Sequence, residues 1–381
     1  MPIFTIANIG AEEAPGGAAR GAATTVARLW SLLFPRDACA LPDGEPRGTD
    51  WPEAFLPSAS EAAYRWIRSD AAHAWLNTAE ARAMAENAGV ELAGAAPEVV
   101  RAVHDKAFAH HASEQAGLVP RVLRGLVTPL APDALRDGAA AARQIRERVA
   151  AWPDWTRGRF TLKPRLGASG RGRVPGLLDD LDTDVLARAL PRLAERGGAM
   201  LEPWLERTID LSAQLYIAPD GTVTLLGTLE LLVTPSGVYR GHRARIDHRL
   251  RIASGSAHDD SLLEAALILA RAAHAAGYHG PCGVDAFAFA AGDRVVLRPA
   301  VELNARFTMG TIVAGLMRRL RPRLRARLPA EPGRLRTLHF GLAPDAAPHS
   351  ESPTGAAYAL PLGLTGETFA PRFEISELQD E

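Results

Sequence analysis

The hexapeptide Val301-Glu302-Leu303-Asn304-Ala305-Arg306 continues an apolar run that begins at Val295. Successive side chains of a β-strand point to opposite faces, so Glu302, Asn304 and Arg306 are expected to share one face. A carboxylate and an amide oxygen two residues apart supply the hard oxygen ligands that Mg²⁺ prefers. The segment therefore predicts a strand that carries a magnesium site, although the wet face of a half-exposed strand would show the same alternation.

A second carboxylate is expected to join this site from the preceding strand. The sequence favours strands over 282–289 and 294–304, joined by a turn at Ala291-Gly292-Asp293. A hairpin of this kind places Asp285 opposite about residue 300, close to the first carboxylate. Arg298-Pro299 interrupts the second strand, since proline donates no hydrogen bond to a ladder. The position of Asp285 therefore depends on how the strand passes this proline.

A glycine-rich loop follows a short apolar strand in the middle of the chain. The segment reads Phe160-Thr-Leu-Lys163-Pro-Arg-Leu-Gly167-Ala-Ser169-Gly170-Arg-Gly172. Glycine permits close backbone approach, so that consecutive N–H groups can converge on phosphate oxygens, and Lys163 supplies positive charge. The pattern differs from a Walker loop because the lysine precedes the glycines. Phosphate binding is favoured, and a plain flexible turn is the alternative.

The use of lysine supports this interpretation. Of 43 basic residues only two are lysine, Lys106 and Lys163, and the rest are arginine. A chain so biased toward arginine is expected to keep lysine where a compact point charge is needed and a planar fork does not serve. Lys106 lies in Val103-His-Asp-Lys106, on a predicted helix. Chance survival of the two lysines is the alternative.

A third segment could grip a nucleoside. Met200-Leu-Glu202-Pro-Trp204-Leu205 is a strand end that bears an acid and leads into an apolar hinge, and Asp210 follows. Glu202 or its neighbouring carbonyl would accept from the adenine amine, and Asp210 or Glu206 would accept from the ribose hydroxyls. Taken alone, the segment is more typical of core residues next to a surface acid.

Composition excludes several other classes of protein. The net charge of −1 gives no basic field for nucleic acid or an anionic membrane. The two cysteines, Cys39 and Cys282, are too few for a disulfide framework, and no uncharged apolar run is long enough for a membrane span. No signal-peptide pattern is expected at the N-terminus, so the predicted location is cytoplasmic. The histidines lack metal-ligand spacing, and no Gly-x-Ser-x-Gly motif supports covalent catalysis.

The remaining pattern predicts alternating helices and strands. The first hundred residues indicate an α/β unit that opens with a strand over 2–9. Helices are expected over 59–69 and 78–88, and one long helix from Pro97 to Gly117. Further helices are expected over 132–151, 183–196, 258–276 and 312–328. Strands are expected over 199–203, 210–218, 222–230 and 237–245, with two more in the last fifty residues.

The order of these motifs resembles the ATP-grasp superfamily, in which nucleotide lies between two α+β subdomains. The resemblance covers residues 103–306 and implies a fold of the α/β and α+β classes: a preATP-grasp α/β domain followed by a two-subdomain ATP-grasp fold. The implied domains are a preATP-grasp domain over 1–100, a lid subdomain with the glycine-rich loop over 101–198, a metal-binding subdomain over 199–335 and a C-terminal extension over 336–381.

The resemblance also implies roles for individual residues. Lys106 and Lys163 are expected to contact ATP phosphates beneath a loop that includes Gly167, Ser169, Gly170 and Gly172. Glu202 and Leu205 are expected to flank adenine, and Asp210 the ribose. The implied Mg²⁺ ligands are Asp285, Glu302 and Asn304. Arg306 is expected to contact the transferred phosphoryl group or the carboxylate, and Lys163 and Arg306 are the implied catalytic residues.

The implied activity is that of an ATP- and Mg²⁺-dependent carboxylate–amine ligase, which forms an amide through an acyl phosphate and releases ADP and phosphate. The expected partners are a small carboxylate and an amine, for instance an amino acid or peptide, without nucleic acid or membrane. The oligomeric state stays open, and a homodimer is compatible with the sequence. Two alternatives are an ATP-grasp kinase that stops at a phosphorylated product and an ATP-binding module without catalysis.

Overall fold

The structure is a computed structural model, and it describes residues 3–11, 20–42, 45–46, 51–167, 172–234, 237–329, 331–344, 356–363 and 369–377. Within these residues the chain forms three β-sheets, called here the N-terminal sheet, the small sheet and the large sheet. Helices pack beside each of them, so the architecture is a mixed α/β and α+β one. The expected fold class is confirmed.

The N-terminal sheet is built from the first hundred residues. Its strands are β1 (Phe4–Ile6), β2 (Cys39–Ala40), β3 (Glu45–Pro46), β4 (Ala71–Ala74) and β5 (Glu91–Leu92), in the order β3-β2-β1-β4-β5. Strands β2, β1, β4 and β5 pair in parallel, and β3 is antiparallel to β2. The helices of this unit are α1 (Arg20–Ser31) and α2 (Ala79–Asn87). Thr78 caps α2 by accepting from the amide of Ala81, as its position before an apolar-periodic segment predicts.

Two consecutive helices lead into the small sheet. They are α3 (Pro97–His104) and α4 (Lys106–Gln115). The small sheet then holds β6 (Thr128–Leu130), β7 (Arg159–Pro164), β8 (Val174–Leu177) and β9 (Ala199–Pro203) in the antiparallel order β6-β9-β7-β8. Its helices are α5 (Asp133–Arg136), α6 (Gly138–Ala150) and α7 (Thr183–Glu195). Apolar side chains from α6, α7 and the strands form a separate buried cluster, so this sheet has its own core.

The large sheet occupies the rest of the chain. Its strands are β10 (Arg207–Ile217), β11 (Val223–Val233), β12 (Tyr239–Ile246), β13 (Ile252–Ala253), β14 (Gly280–Ala291), β15 (Arg294–Asn304), β16 (Arg336–Pro344), β17 (Ala356–Pro361) and β18 (Phe369–Glu377). Their order is β15-β14-β10-β11-β12-β16-β18-β17, and β13 pairs with β12. Helices α8 (Asp259–Ala275) and α9 (Met309–Arg327) pack against this sheet.

Strand β10 shows how this sheet separates core from cavity. Leu211, Ala213 and Leu215 are fully buried in the main apolar cluster. The alternate residues Asp210, Ser212 and Gln214 line a cavity on the opposite face. The two-residue period of a strand produces this division, so a polar face of β10 is available for a functional site.

Several predicted elements differ from the structure. The expected helix over 59–69 is a series of turns and bends. Tyr64 is fully buried there, its hydroxyl donates to the carbonyl of Thr311 at 2.6 Å, and its ring stacks on Trp66. These long-range contacts outweigh a weak local helical preference. Pro97 to Gly117 is two helices, separated at Asp105.

Two of the expected domain limits differ from the limits of the sheets. Strand β9 pairs with β7 and so lies in the small sheet, although the boundary after residue 198 assigned it to the metal-binding unit. The segment 336–381 adds three strands to the large sheet through the pairing of β12 with β16. Only two strands were expected there. Within the part of the chain that the structure describes, no helix has the length and apolar character to cross a membrane.

Candidate functional site

A cavity of about 440 Å³ opens where the three sheets meet. This volume falls in the range of small-molecule sites. Helix α4, strand β7 and the face of the large sheet bring eight of the sequence-predicted residues to its wall. They are Lys106, Lys163, Gly167, Asp210, Asp285, Glu302, Asn304 and Arg306. Residues that lie up to two hundred positions apart in the sequence thus share one cavity.

Two carboxylates face each other on neighbouring strands at the floor of this cavity. Asp285 on β14 is the direct cross-strand partner of Glu302 on β15. Beyond this pair the register shifts, because Phe287 pairs with Arg298 and Ala286 alone faces the three residues 299–301. This bulge accommodates the proline that seemed to interrupt the strand, and it is why Asp285 meets Glu302 rather than residue 300.

Hydrogen bonds fix both oxygens of Asp285. The hydroxyl of Ser212 donates to Oδ1 at 2.6 Å, and Nδ2 of Asn304 donates to Oδ2 at 2.9 Å. Gln214 in turn donates to Ser212 at 2.7 Å and accepts from Thr308, which caps α9. The aspartate is therefore held in one orientation by a chain of neutral groups.

The two carboxylates have opposite pKa shifts. Burial, together with the charge of Glu302, raises the pKa of Asp285 to about 7. Burial would also raise the pKa of Glu302, but Lys106 and Lys163 outweigh it and lower that pKa to about 2. Glu302 is consequently ionised at neutral pH, while Asp285 lacks enough positive charge nearby. Two carboxylates that face each other are expected to bind a cation favourably.

Lys106 links this pair to the glycine-rich loop. Its Nζ lies 3.2 Å from Oε2 of Glu302 and donates to the carbonyl of Gly167 at 2.8 Å. The break between α3 and α4 positions it, since Asp105 leaves the helical conformation and caps α4 through the amide of Ala107. Arg165 donates to both oxygens of Asp105. The residue that precedes Lys106 is therefore fixed in position.

Lys163 belongs to a second charged network. It forms an ion pair with Glu202, and Arg298 donates to the other oxygen of Glu202 at 2.8 Å. Burial is the largest influence on Lys163 and lowers its pKa, while Glu202 partly restores it. Burial would raise the pKa of Glu202, but the two cations outweigh it and hold the pKa below its ordinary value. Glu202 is thus ionised, and its negative charge is compensated by the two cations.

Arg306 lies at the border between the large sheet and the N-terminal sheet. Its Nη1 donates to the carbonyl of Phe307 at 2.8 Å, and its guanidinium lies 5.4 Å from the ring centroid of Trp75. His104 supports the same segment by accepting from the amide of Ala305 at 3.2 Å. Burial, with smaller contributions from Arg306 and Lys106, lowers the pKa of His104 to about 3, so the imidazole stays neutral.

Among the described residues, three of the predicted binding residues do not line the cavity: Glu202, Leu205 and Gly172. Glu202 is 5% exposed and is occupied by Lys163 and Arg298. Leu205 packs in an apolar cluster with Phe287 and Phe289. Ser169 and Gly170 lie outside the described residues.

Two further predicted residues have identifiable surroundings. Gly172 has φ +71°, a left-handed conformation that favours glycine. Asp210 does line the cavity, but Arg207 binds its Oδ1 at 2.6 Å. A ribose hydroxyl would therefore share this carboxylate with the arginine.

Sequence reasoning missed several residues of the site. Ser212 and Gln214 could have been found by extending the two-residue period from Asp210 along the strand. Arg298 was noted only as an interruption, and it is a buried partner of Glu202. Tyr239 and His242 also line the cavity, where the tyrosine hydroxyl lies 2.6 Å from Nδ1 of the histidine. No local sequence pattern predicts that Tyr239 and His242 line the cavity, because their position depends on where β12 lies in the sheet.

The donor set fits a hard divalent cation. Among the described residues no cluster of three or more His, Cys, Asp and Glu is present, and the set consists of two facing carboxylates with an adjacent amide. Mg²⁺ tolerates few protein ligands and completes its shell with water and phosphate oxygens. Burial, together with the charge of Glu302, raises the pKa of Asp285, so that a cation beside the two carboxylates would be favoured. Asp285, Glu302 and Asn304 are therefore suited to hold Mg²⁺.

Solved structures share the fold of this chain at low sequence identity. No family model matches the chain, and no curated protein sequence matches it. Biotin carboxylase of Campylobacter jejuni, solved as a β-γ-ATP complex, is 14% identical, with 99% of this chain and 87% of that chain covered and a TM-score of 0.56. N5-carboxyaminoimidazole synthase of Aspergillus clavatus, solved with ADP and 5-aminoimidazole ribonucleotide, is 15% identical, with coverage of 99% and 94% and a TM-score of 0.53.

A third structure agrees with these two. N5-carboxyaminoimidazole ribonucleotide synthetase of Thermus thermophilus is 15% identical, with 99% of this chain and 93% of that chain covered and a TM-score of 0.52. At such low identity the likeness concerns the backbone arrangement. The chain has the ATP-grasp fold, as the order of its motifs predicted.

Proposed function

We propose that this protein is an ATP- and Mg²⁺-dependent ligase that activates a small carboxylate as an acyl phosphate and transfers it to an amine. The products are an amide, ADP and phosphate. One observation carries the proposal: Lys106 and Lys163, the only lysines of the chain, meet the facing carboxylates Asp285 and Glu302 in one cavity.

The lysines would address the main barrier of the first step. A carboxylate that attacks the γ-phosphorus of ATP approaches a group of its own charge, so the reaction needs cations aligned with the displacement. Burial lowers the pKa of Lys163, whose side chain is 15% exposed, so its charge is only partly hydrated. Partly hydrated charges interact more strongly than charges at the surface.

The other residues would position the reactants. Bound Mg²⁺ would neutralise phosphate charge and orient the β- and γ-phosphoryl groups. Asp285, Glu302 and Asn304 would hold it, with Asp285 fixed by Ser212. Arg306 would bind the carboxylate through its planar guanidinium. Exclusion of water from the cavity would protect a reactive acyl phosphate from hydrolysis.

The ligands of the structural neighbours support ATP as the proposed nucleotide. They were solved as complexes with ATP, ADP and magnesium ADP, and one also holds a bicarbonate anion. Bicarbonate is the smallest candidate for the acid, so a carboxylation must be tested beside amide formation. An amino acid or a short peptide is the acid or amine that we propose.

Hydroxylamine trapping tests the proposal. Purified protein is incubated with ATP, Mg²⁺, hydroxylamine and pooled carboxylic acids that include amino acids and short peptides. Hydroxylamine is a small nucleophile that can replace the unknown amine, so the correct acid should appear as a hydroxamate with an equal amount of ADP. A parallel reaction receives bicarbonate alone.

The outcomes separate the classes. ADP release with bicarbonate and no organic acid would replace the ligase with a carboxylase. A stable phosphate ester without hydroxamate would indicate a kinase. ATP binding that raises the melting temperature without ADP release would indicate a binding module.

A further inference from the structure

One part of the cavity lining comes from elements that carry neither lysine. It is formed by β1, α1, the start of α9 and the strands β12 and β16, and its lining includes Ile9, Thr25, Val26, His242, Met309 and Leu342. We call these six residues the apolar end. None of them comes from the small sheet, which carries Lys163 and leads into the glycine-rich loop.

The apolar end starts beside Arg306. The guanidinium of Arg306 lies over Trp75 of the N-terminal sheet, and both residues line the cavity. A carboxylate held by Arg306 and directed at a phosphate would place its body along the wall that continues from Trp75. The strands from β14 to β12 span three spacings, about 14 Å, which leaves room for this body beside a nucleotide.

The six residues of the apolar end carry no charge, whereas Arg173 and Arg240 also line the cavity. His242 is 1% exposed, burial lowers its pKa to about 3, and its Nδ1 bonds to the hydroxyl of Tyr239. The imidazole is therefore neutral at physiological pH. Arg240 is exposed and lies at the rim of the cavity. A charged substrate body would lose its hydration at this wall without gaining a partner.

One polar atom in the wall has no partner. The hydroxyl of Thr25 is buried and finds no hydrogen-bond partner among the described residues. Thr25 is 1% exposed and lines the cavity. Buried hydroxyls are normally satisfied, so this one is suited to a group that a ligand brings.

We infer that the activated acid is a carboxylic acid with an uncharged, apolar body that carries one polar group for Thr25. The inference rests on the proposed function and specifies its acid substrate. Arg306 binds the carboxylate, the apolar end receives the body, and the Thr25 hydroxyl bonds to the polar group. The amine enters from elsewhere, since the apolar end is occupied in the acyl phosphate.

Matched acids test the class of substrate. Hydroxamate formation is measured for two pairs of similar shape: 4-methylpentanoate against succinamate, and N-acetylleucine against N-acetylasparagine, in which the amino charge is removed. Hydroxylamine stands in for the amine, so any selectivity belongs to the acid. We expect kcat/KM to favour the apolar member of a pair about tenfold or more, as burial of a branched side chain predicts. Equal or reversed preference with clear hydroxamate formation overturns the inference and leaves the ligase intact.

No hydroxamate and no ADP from any acid would instead remove the proposed function itself. Two variants locate the selectivity. Leu342→Ala should lower kcat/KM for the apolar acid about tenfold. Leu360→Ala is the control, because Leu360 is an equally half-buried leucine in the same sheet that does not line the cavity. Equal effects of the two variants would overturn the assignment of the apolar end.

Thr25→Val tests the polar contact. The change keeps the shape and removes a hydroxyl that lacks a partner, so the melting temperature should be unchanged or higher. The KM for N-acetylleucine, which carries a neutral polar group, should rise about two- to tenfold, and the KM for 4-methylpentanoate should not. Thr161→Val is the control, since the Thr161 hydroxyl is also buried and unpartnered among the described residues but lies outside the cavity. An unchanged KM in Thr25→Val overturns the role of Thr25.

Discussion

Two glutamates lie against the two lysines, and their surroundings differ. Glu202, on the small sheet, is bound by Lys163 at one oxygen and by Arg298 at the other. Glu302, on the large sheet, is bound by Lys106 and faces the carboxylate of Asp285. In direct ion pairs among the described residues, the first network has two cations for one acid, and the second has one cation for two acids.

This difference indicates which network is suited to bind a ligand. A buried charge must be compensated, and in the Glu202 network the protein supplies all of the compensation. In the Glu302 network Lys106 pairs with Glu302, and burial with the charge of Glu302 raises the pKa of Asp285. We therefore expect the Glu302 network to govern chemistry and the pairing of Glu202 with Arg298 to govern stability, while Lys163 serves the chemistry from within the Glu202 network. Four predictions test this division.

The largest effect is expected from Glu302→Gln. A neutral amide cannot supply the charge that holds the cation, so Mg²⁺-dependent ADP formation should fall by about 10³-fold or more. The measurement is ADP release across a magnesium titration. Glu230→Gln is the control, since Glu230 lies in the same sheet and pairs with Arg243 at 2.8 Å, and it should retain activity. Full activity of Glu302→Gln at ordinary magnesium would place the cation elsewhere.

Arg298→Met should act on stability. It leaves Glu202 with Lys163 alone in a buried position, and a broken buried pair costs about 3–5 kcal/mol. Urea unfolding measures the loss. Arg243→Met is the matched control, because its side chain is 55% exposed and its surface pair contributes at most about 1 kcal/mol. If both variants lose the same stability, the Glu202 network has no special role in the fold.

Lys163→Arg preserves the charge and changes its shape. A planar fork in place of a compact ammonium should lower ATP turnover about 10²-fold, or ~2.7 kcal/mol, with little change in melting temperature. Arg159→Lys is the control on the same strand, at an exposed position, and should leave turnover unchanged. Turnover at the level of the unmodified protein in Lys163→Arg would refute a phosphate contact by this lysine.

The smallest effect concerns ligand-induced stability. Mg²⁺ with ADP at about tenfold its dissociation constant should stabilise the protein by ~1.4 kcal/mol, and a chelator should reverse this. Thermal melts of the unmodified protein and of Glu302→Gln give the comparison, and Glu302→Gln should lose the magnesium-dependent part. Arg298→Met should keep it, although it melts lower. A magnesium-dependent shift in Glu302→Gln would contradict the division between the two networks.

The sequence predicted the fold through the order of its motifs. Each motif was ambiguous alone, yet the succession of Lys106, Lys163, Glu202 and Glu302 is compatible with few topologies. Strand periodicity placed Glu302 and Asn304 on one face, and the structure brings both to the cavity. Asp285 was placed near them by a hairpin argument that was wrong by about two residues, because a bulge cannot be read from hydrophobic alternation.

The contacts across the sheets could not be predicted in this way. Arg298 reaches Glu202 over 96 positions of sequence, and no local pattern records such a distance. The break at Asp105 was missed because the helical periodicity continues through it. An aspartate within a helical pattern is a potential cap, and that signal could have been used.

The doubled compensation of Glu202 also bears on how fast the site can respond. If Lys163 binds a phosphate, the lysine must leave Glu202. Without a second cation, this would leave a buried carboxylate unpaired. Here Arg298 stays bound at 2.8 Å and keeps Glu202 paired throughout the exchange. The reorganisation energy of nucleotide capture is thereby lowered, since Lys163 can change partners without any buried charge passing through an unpaired state.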